Sequence, residues 1–240
     1  MSDALSILAA AGQAPQTIGL RTDGRAFSFA QLAALTEHRL GRADLAPART
    51  VPFALDGTAT VDTVVTLYAL LESRRPALLL HPKLTGAERG AALRAVERCA
   101  DALPADAAAI VLTSGTTGEP RPAVLTRDAL LASAAASAAN LGWRDDDCWL
   151  LAMPIARVGG LSILTRCLIA RRTVARPVHA TCTGGPVTSS PNVGTPAGRL
   201  VVAAAAAWVL AGERMDWREW VGAALIVSAT LLSGRVHRDE

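Results

Sequence analysis

Lysine is almost missing from this 240-residue chain: Lys83 is the only one, so the net charge of +3 is carried by arginine. Aromatic residues are scarce too, at 4%. A small charge spread over both halves, without rings to stack on, gives neither the basic stripe nor the base platforms of a nucleic-acid binder, and that class is set aside. The cysteines Cys99, Cys148, Cys167 and Cys182 form no C-x-x-C pair, and His38, His81, His179 and His237 are scattered. No metal site is expected from such spacing, and the thiols read as reduced. The N-terminus carries Asp3 and only a brief apolar run, without the basic start of a signal peptide, so a cytoplasmic body is expected. The hydrophobic fraction of 51% and mean hydropathy of +0.30 point instead to one unusually apolar segment.

Ser28 with Gln31 forms a capping box, and Phe27 and Leu32 are placed as its hydrophobic staple, which predicts a helix through about residue 40. Residues 51–55 read as a short strand, 58–73 as an apolar-faced helix, and 77–80 as a buried strand ending at His81 and Pro82. Thr85 and Glu88 make a second capping box for a helix to about Cys99. A further buried strand is expected over 108–112. Beyond a loop at 113–122, Thr126 caps an alanine-rich helix with Asp128 in its first turn. A strand over 148–152, a helix over 159–170 and a strand at 173–175 complete the pattern. Strands alternating with helices predict a layered α/β domain with a largely parallel sheet, whose ligands sit at the carboxyl ends of the strands.

The strand at 108–112 runs into Thr113-Ser114-Gly115-Thr116-Thr117-Gly118-Glu119-Pro120-Arg121. Small residues let backbone amides approach a polyphosphate, hydroxyls donate further bonds, and a terminal cation offsets the charge. It is not a Walker loop, because no Gly-Lys-Ser/Thr follows at the required spacing. A Ser/Thr/Gly-rich stretch after a strand is otherwise read as a plain turn.

The exact string resembles the phosphate-binding signature of adenylate-forming enzymes, the acyl-CoA synthetases, luciferases and peptide-synthetase adenylation domains. Residues 25–32, the helix over 61–72 with Leu80-His81-Pro82-Lys83-Leu84, and Trp149-Leu150-Leu151-Ala152-Met153-Pro154 with 158–164 are similar to further family segments. The last of these looks as it does in o-succinylbenzoate CoA ligases, and the resemblance covers about residues 15–176. It implies a partial adenylate-forming N-terminal domain over 1–178. The implied ligands are ATP, Mg2+, coenzyme A and a small-molecule carboxylate. The implied reaction is acyl adenylate formation followed by thioesterification. Thr113, Ser114, Gly115, Thr116, Thr117 and Gly118 would hold the β and γ phosphates, with Arg121 as counter-charge. Arg157, followed by Gly159 and Gly160, departs from the family in standing where these ligases commonly carry a histidine beside the acyl-substrate pocket. A solvated arginine at a turn is the alternative for Arg157.

Arg121 and Pro122 replace the family's usual Lys-Gly; arginine keeps the charge, while proline removes a backbone donor. The family's later aromatic-Gly-x-Thr-Glu segment, ribose-binding aspartate and adenylation lysine have no counterpart after about residue 176. No catalytic residue is assigned, and the expectation is a truncated, catalytically incomplete ligase. Thirteen of the eighteen residues over 181–198 are Thr, Ser, Gly or Pro, which marks a linker at 179–198. The remainder, 199–240, reads as an apolar helical hairpin with uncharged runs at 200–212 and 220–234. It resembles the last helices of EamA-type drug/metabolite transporters. Runs shorter than the roughly 20 residues of a clean span leave a buried or interfacial hairpin open beside membrane association through 200–234. A membrane-associated protein or a non-functional gene fusion is accordingly the alternative to the ligase reading.

Overall fold

Among the described residues, five of the six α-helices start on a Ser or Thr hydroxyl that accepts the amide three residues on. These caps are Ser6, Ser28, Thr60, Thr85 and Thr126, and their helices are α1 (Ile7–Gln13), α2 (Phe29–Leu40), α3 (Val61–Ser73), α4 (Gly86–Glu97) and α5 (Arg127–Leu141). Each side-chain oxygen satisfies a donor that the helix cannot pair internally. At Ser28 and Thr85 the reciprocal bond from Gln31 or Glu88 completes the capping boxes read from sequence. The sixth helix, α6 (Val158–Ala170), follows Arg157, whose side chain makes no capping bond.

The computed structural model describes residues 3–22, 24–45, 51–114 and 120–176, all within one compact unit. Gly115, Thr116, Thr117 and Gly118 of the candidate loop lie outside the described residues, as do the linker at 179–198 and the hairpin at 199–240. No described helix is long and apolar enough to cross a membrane.

The eight strands among the described residues are β1 (Ile18–Thr22), β2 (Arg25–Ser28), β3 (Phe53–Asp56), β4 (Ala77–Leu80), β5 (Ala107–Ser114), β6 (Pro120–Thr126), β7 (Cys148–Leu150) and β8 (Thr173–Ala175). They form two four-stranded sheets, in the orders β2-β1-β8-β7 and β3-β4-β5-β6. Each sheet is largely parallel and carries one antiparallel edge hairpin, β1–β2 or β5–β6. The expected α/β layering is therefore present, divided between two sheets.

Strand β4 is buried at all four positions, as a parallel strand covered on both faces must be. Ala77 and Leu79 join the main core with α3, while Leu78 and Leu80 pack with Ala92, Val96 and Ile110 in a second cluster under α4. Helix α3 is buried without a break from Thr63 to Leu71, so it is a core helix rather than an amphipathic surface one. Arg127, 6% exposed, donates from Nη1 to the Leu71 carbonyl at 2.9 Å and pairs with Asp3 through Nη2. That contact fastens the start of the chain to the end of α3.

The loop expected over 113–122 is shorter than the sequence implies. β5 runs through Ser114, and β6 begins at Pro120. Pro120 and Pro122 conceal β6 in a sequence reading, because proline cannot donate to a ladder; β6 accommodates them as an outermost strand of its sheet.

Candidate functional site

The parallel strands of both sheets end around one short segment, the loop that follows β3. Gly57 donates its amide to the Leu80 carbonyl at the end of β4 at 2.8 Å. Its own carbonyl accepts from Ile155, in the turn after β7, at 2.9 Å. Arg176, just past β8, donates Nη1 to the Ala59 carbonyl at 3.2 Å. The carboxyl ends of β3, β4, β7 and β8 are thus tied together, and that end of a parallel sheet is where α/β folds bind ligands.

β5 opens towards the same end and carries the first candidate residues. Thr113 faces Arg121 across the antiparallel ladder and Ser114 faces Pro120. The Thr113 hydroxyl donates to the Arg121 carbonyl at 3.2 Å, and both side chains are exposed. The hairpin therefore holds the two ends of the Thr/Ser/Gly string side by side, with a hydroxyl on one and a guanidinium on the other. Among the described residues no carboxylate is paired with the exposed Arg121 guanidinium, a group suited to meeting an anion.

Arg157, Gly159 and Gly160 lie at the start of α6. Arg157 is exposed, and its amide donates to the Pro154 carbonyl at 3.0 Å. Gly160 is required by the backbone of the preceding turn, whereas Gly159 lies under the flexible end of Met153. A Cβ on Gly160 would stand 2.3 Å from the Pro154 oxygen, and one on Gly159 would stand 2.3 Å from Met153 Cε. Their contribution is close packing of the turn on the helix, which leaves Arg157 as the one side chain of the three able to recognise a ligand.

Two residues that sequence reasoning missed, Gly57 and Arg176, hold this end of the fold together. Neither sits in a string with a local signature, since each acts on backbone that is remote in the chain. Among the described residues no group of His, Cys, Asp or Glu could hold a metal ion. A polar cavity of about 300 Å³ lies at the other end of the strands, lined by Thr17, Arg21, Asp145, Asp147, Arg171 and Arg172 among others. Arg172 donates to Asp145 there at 2.8 Å, and neither Thr113 nor Arg121 lines this cavity.

Comparison with known proteins first defines a class. Residues 90–181 match the model of the AMP-binding enzyme family, a stretch that includes the β5–β6 hairpin, α5 and the turn before α6. More particular relatives then appear. Over 62 residues, 26% of the chain, the sequence is 55% identical to the 2-succinylbenzoate–CoA ligase of Bacillus cytotoxicus, covering 13% of that enzyme. The ligase of Bacillus mycoides is 54% identical over 61 residues, again 13% of its length.

The fold resembles the o-succinylbenzoate CoA synthetase of Bacillus subtilis solved with its acyl-adenylate intermediate, at TM-score 0.62 and 25% identity, over 73% of this chain and 56% of that one. The same synthetase solved with ATP and magnesium matches at TM-score 0.60 and 25% identity, over 70% and 56% of the two chains. The chain thus spans little more than half of these structures and a much smaller part of the curated relatives. These likenesses support the adenylate-forming resemblance.

Proposed function

We propose that this chain is an adenylate-forming domain of the o-succinylbenzoate CoA ligase type, binding MgATP at the β5–β6 hairpin and a carboxylate beside Arg157. The observation that carries the reading is the hairpin itself. It fixes Thr113 and Arg121 opposite each other at the two ends of a Thr/Ser/Gly string, at the ligand-binding end of a parallel sheet. The string 113–118 cradles the β and γ phosphates through amides and hydroxyls, and Arg121 offsets their charge. Magnesium brought in with the nucleotide would supply further neutralisation of the phosphate charge.

In ligases of this kind the carboxylate attacks the α-phosphate, pyrophosphate leaves, and coenzyme A displaces AMP. The protein's part is to position the reactants and to place cations where charge develops. Arg157 supplies one such cation for the carboxylate substrate. Lys83, the only lysine of these 240 residues, lies in the turn after β4, where its backbone amide donates to His81 Nδ1 at 3.2 Å, and we do not assign it the adenylation role. One preorganised contact of that kind is worth roughly 10²-fold to 10³-fold in rate, and what we assign to these 240 residues is the binding of nucleotide and carboxylate.

Hydrogen exchange tests the binding. MgATP should slow exchange of the amides over 113–118, and added o-succinylbenzoate should slow exchange around Arg157. Identical exchange with and without nucleotide would defeat the reading.

A further inference from the structure

The turn that carries Arg157 rests on Gly57, and the contact leaves no room for a side chain. Gly57 is buried, and its φ is not in the left-handed region, so the position requires glycine for space rather than for backbone freedom. A Cβ there would stand 2.5 Å from the Ala156 nitrogen, 2.6 Å from its Cβ and 2.9 Å from its Cα. These atoms belong to the backbone or sit directly on it, so none can swing aside. Restoring ordinary contact would push the turn outward by about 1 Å.

The turn has no freedom to absorb that push. Ile155 is 0% exposed and Ala156 6%, and the Ile155 amide is bonded to the Gly57 carbonyl. On the far side the Pro154 oxygen already fills the space at Gly160. Displacement at Ala156 therefore passes to its neighbour Arg157 at the start of α6. The phosphate hairpin is reached only by a longer route, across β4 and into β5.

We propose that Gly57 is a positioning residue that sets where Arg157 stands, and thereby governs affinity for the carboxylate rather than for the nucleotide. The proposal rests on the assignment of Arg157 to the carboxylate made above. A misplacement of about 1 Å lowers the effectiveness of a site by as much as roughly 10²-fold. In the full chain, Gly57→Ala should weaken o-succinylbenzoate binding by roughly tenfold or more while changing MgATP binding less than about twofold.

A double-mutant cycle separates this from a merely structural effect. If Gly57 acts through Arg157, Gly57→Ala should add nothing once Arg157→Ala is present. Loss of both ligands alike, full additivity with Arg157→Ala, or unchanged carboxylate affinity would overturn the proposal. A second measurement needs no variant: in the unmodified protein, o-succinylbenzoate should slow exchange of the Ile155 amide while MgATP leaves it unchanged. Exchange at Ile155 indifferent to the carboxylate would overturn the proposal even if Gly57→Ala fails to fold. Failure of the unmodified chain to bind the carboxylate at all would instead remove the assignment of Arg157, and this proposal with it.

Discussion

Replacing Arg121 with alanine should weaken MgATP binding and leave AMP binding almost untouched. The side chain stands exposed on an antiparallel hairpin, directly across from Thr113, at the exit of the Thr/Ser/Gly string. A unit charge about 4 Å from another is worth about 1 kcal/mol in bulk water and up to about 4 kcal/mol near a protein surface. Exposure keeps the contact near the lower bound, whereas the multiple charges of a triphosphate raise it. The expected loss is about 1–2 kcal/mol, or roughly fivefold to thirtyfold in Kd. Calorimetric titration of the full chain with MgATP and with AMP, at low and at 0.5 M salt, measures it. The difference between wild type and Arg121→Ala should shrink at the higher salt, because surface charge is screened there. Arg121→Lys should recover most of the affinity, since the string needs a cation more than a planar fork. Equal MgATP binding by wild type and Arg121→Ala, or an equal loss for AMP, would refute placement of the β and γ phosphates at this hairpin.

Asp3→Asn should lower stability by about 1–3 kcal/mol, read as a fall in the urea midpoint, because it strips the carboxylate from the buried Arg127 while keeping an acceptor for the Leu5 amide. That range is reduced from a fully buried pair because the Asp3 side chain is 33% exposed; a change below about 0.5 kcal/mol would refute the fastening role. The Cys167 thiol is pushed by burial from 9.0 up to about 12, so its contribution is intact below pH 9 and is lost as pH rises towards 12. Thermal unfolding should show that alkaline loss, on the order of 2–4 kcal/mol across the window, and Cys167→Ala should flatten the slope. Burial also raises the Tyr68 hydroxyl, so a residual alkaline slope should remain in that variant. A slope unchanged by Cys167→Ala would show that the thiol is not held protonated.

What the sequence revealed was mostly local. Capping boxes at Ser28 and Thr85 lie within four residues and emerged as read, and β4 and β8 emerged over 77–80 and 173–175. Helix α1 escaped notice because seven residues, three of them alanine, give no clear period. β1 was hidden by Gly19, which breaks the alternation of a strand. The fold needs it there, since a Cβ would stand 2.9 Å from both Leu32 Cδ1 and Phe29 Cε1. Partition into two sheets was equally out of reach, because it depends on pairings such as Leu20 with Val174. For the site, Thr113 and Arg121 were legible as the ends of a string, whereas their juxtaposition needed the strand that two prolines disguised. Gly57 carried no signal at all, since its constraint comes from Ala156, about a hundred residues further along the chain.

The pairing of β1 with β8 also sets a schedule for biosynthesis. β1 ends at Thr22, yet one of its two partners is complete only at Ala175. At about 5–20 residues per second, a ribosome leaves that edge waiting for roughly 8–30 s. During this interval β1 has only its hairpin mate β2, and an unpaired strand edge is a template for association with other chains. Slower translation across the segment between them should lengthen the exposure. Yield of soluble protein should therefore depend on synthesis rate and on chaperones that occupy the nascent hairpin, more than on the stability of the finished fold.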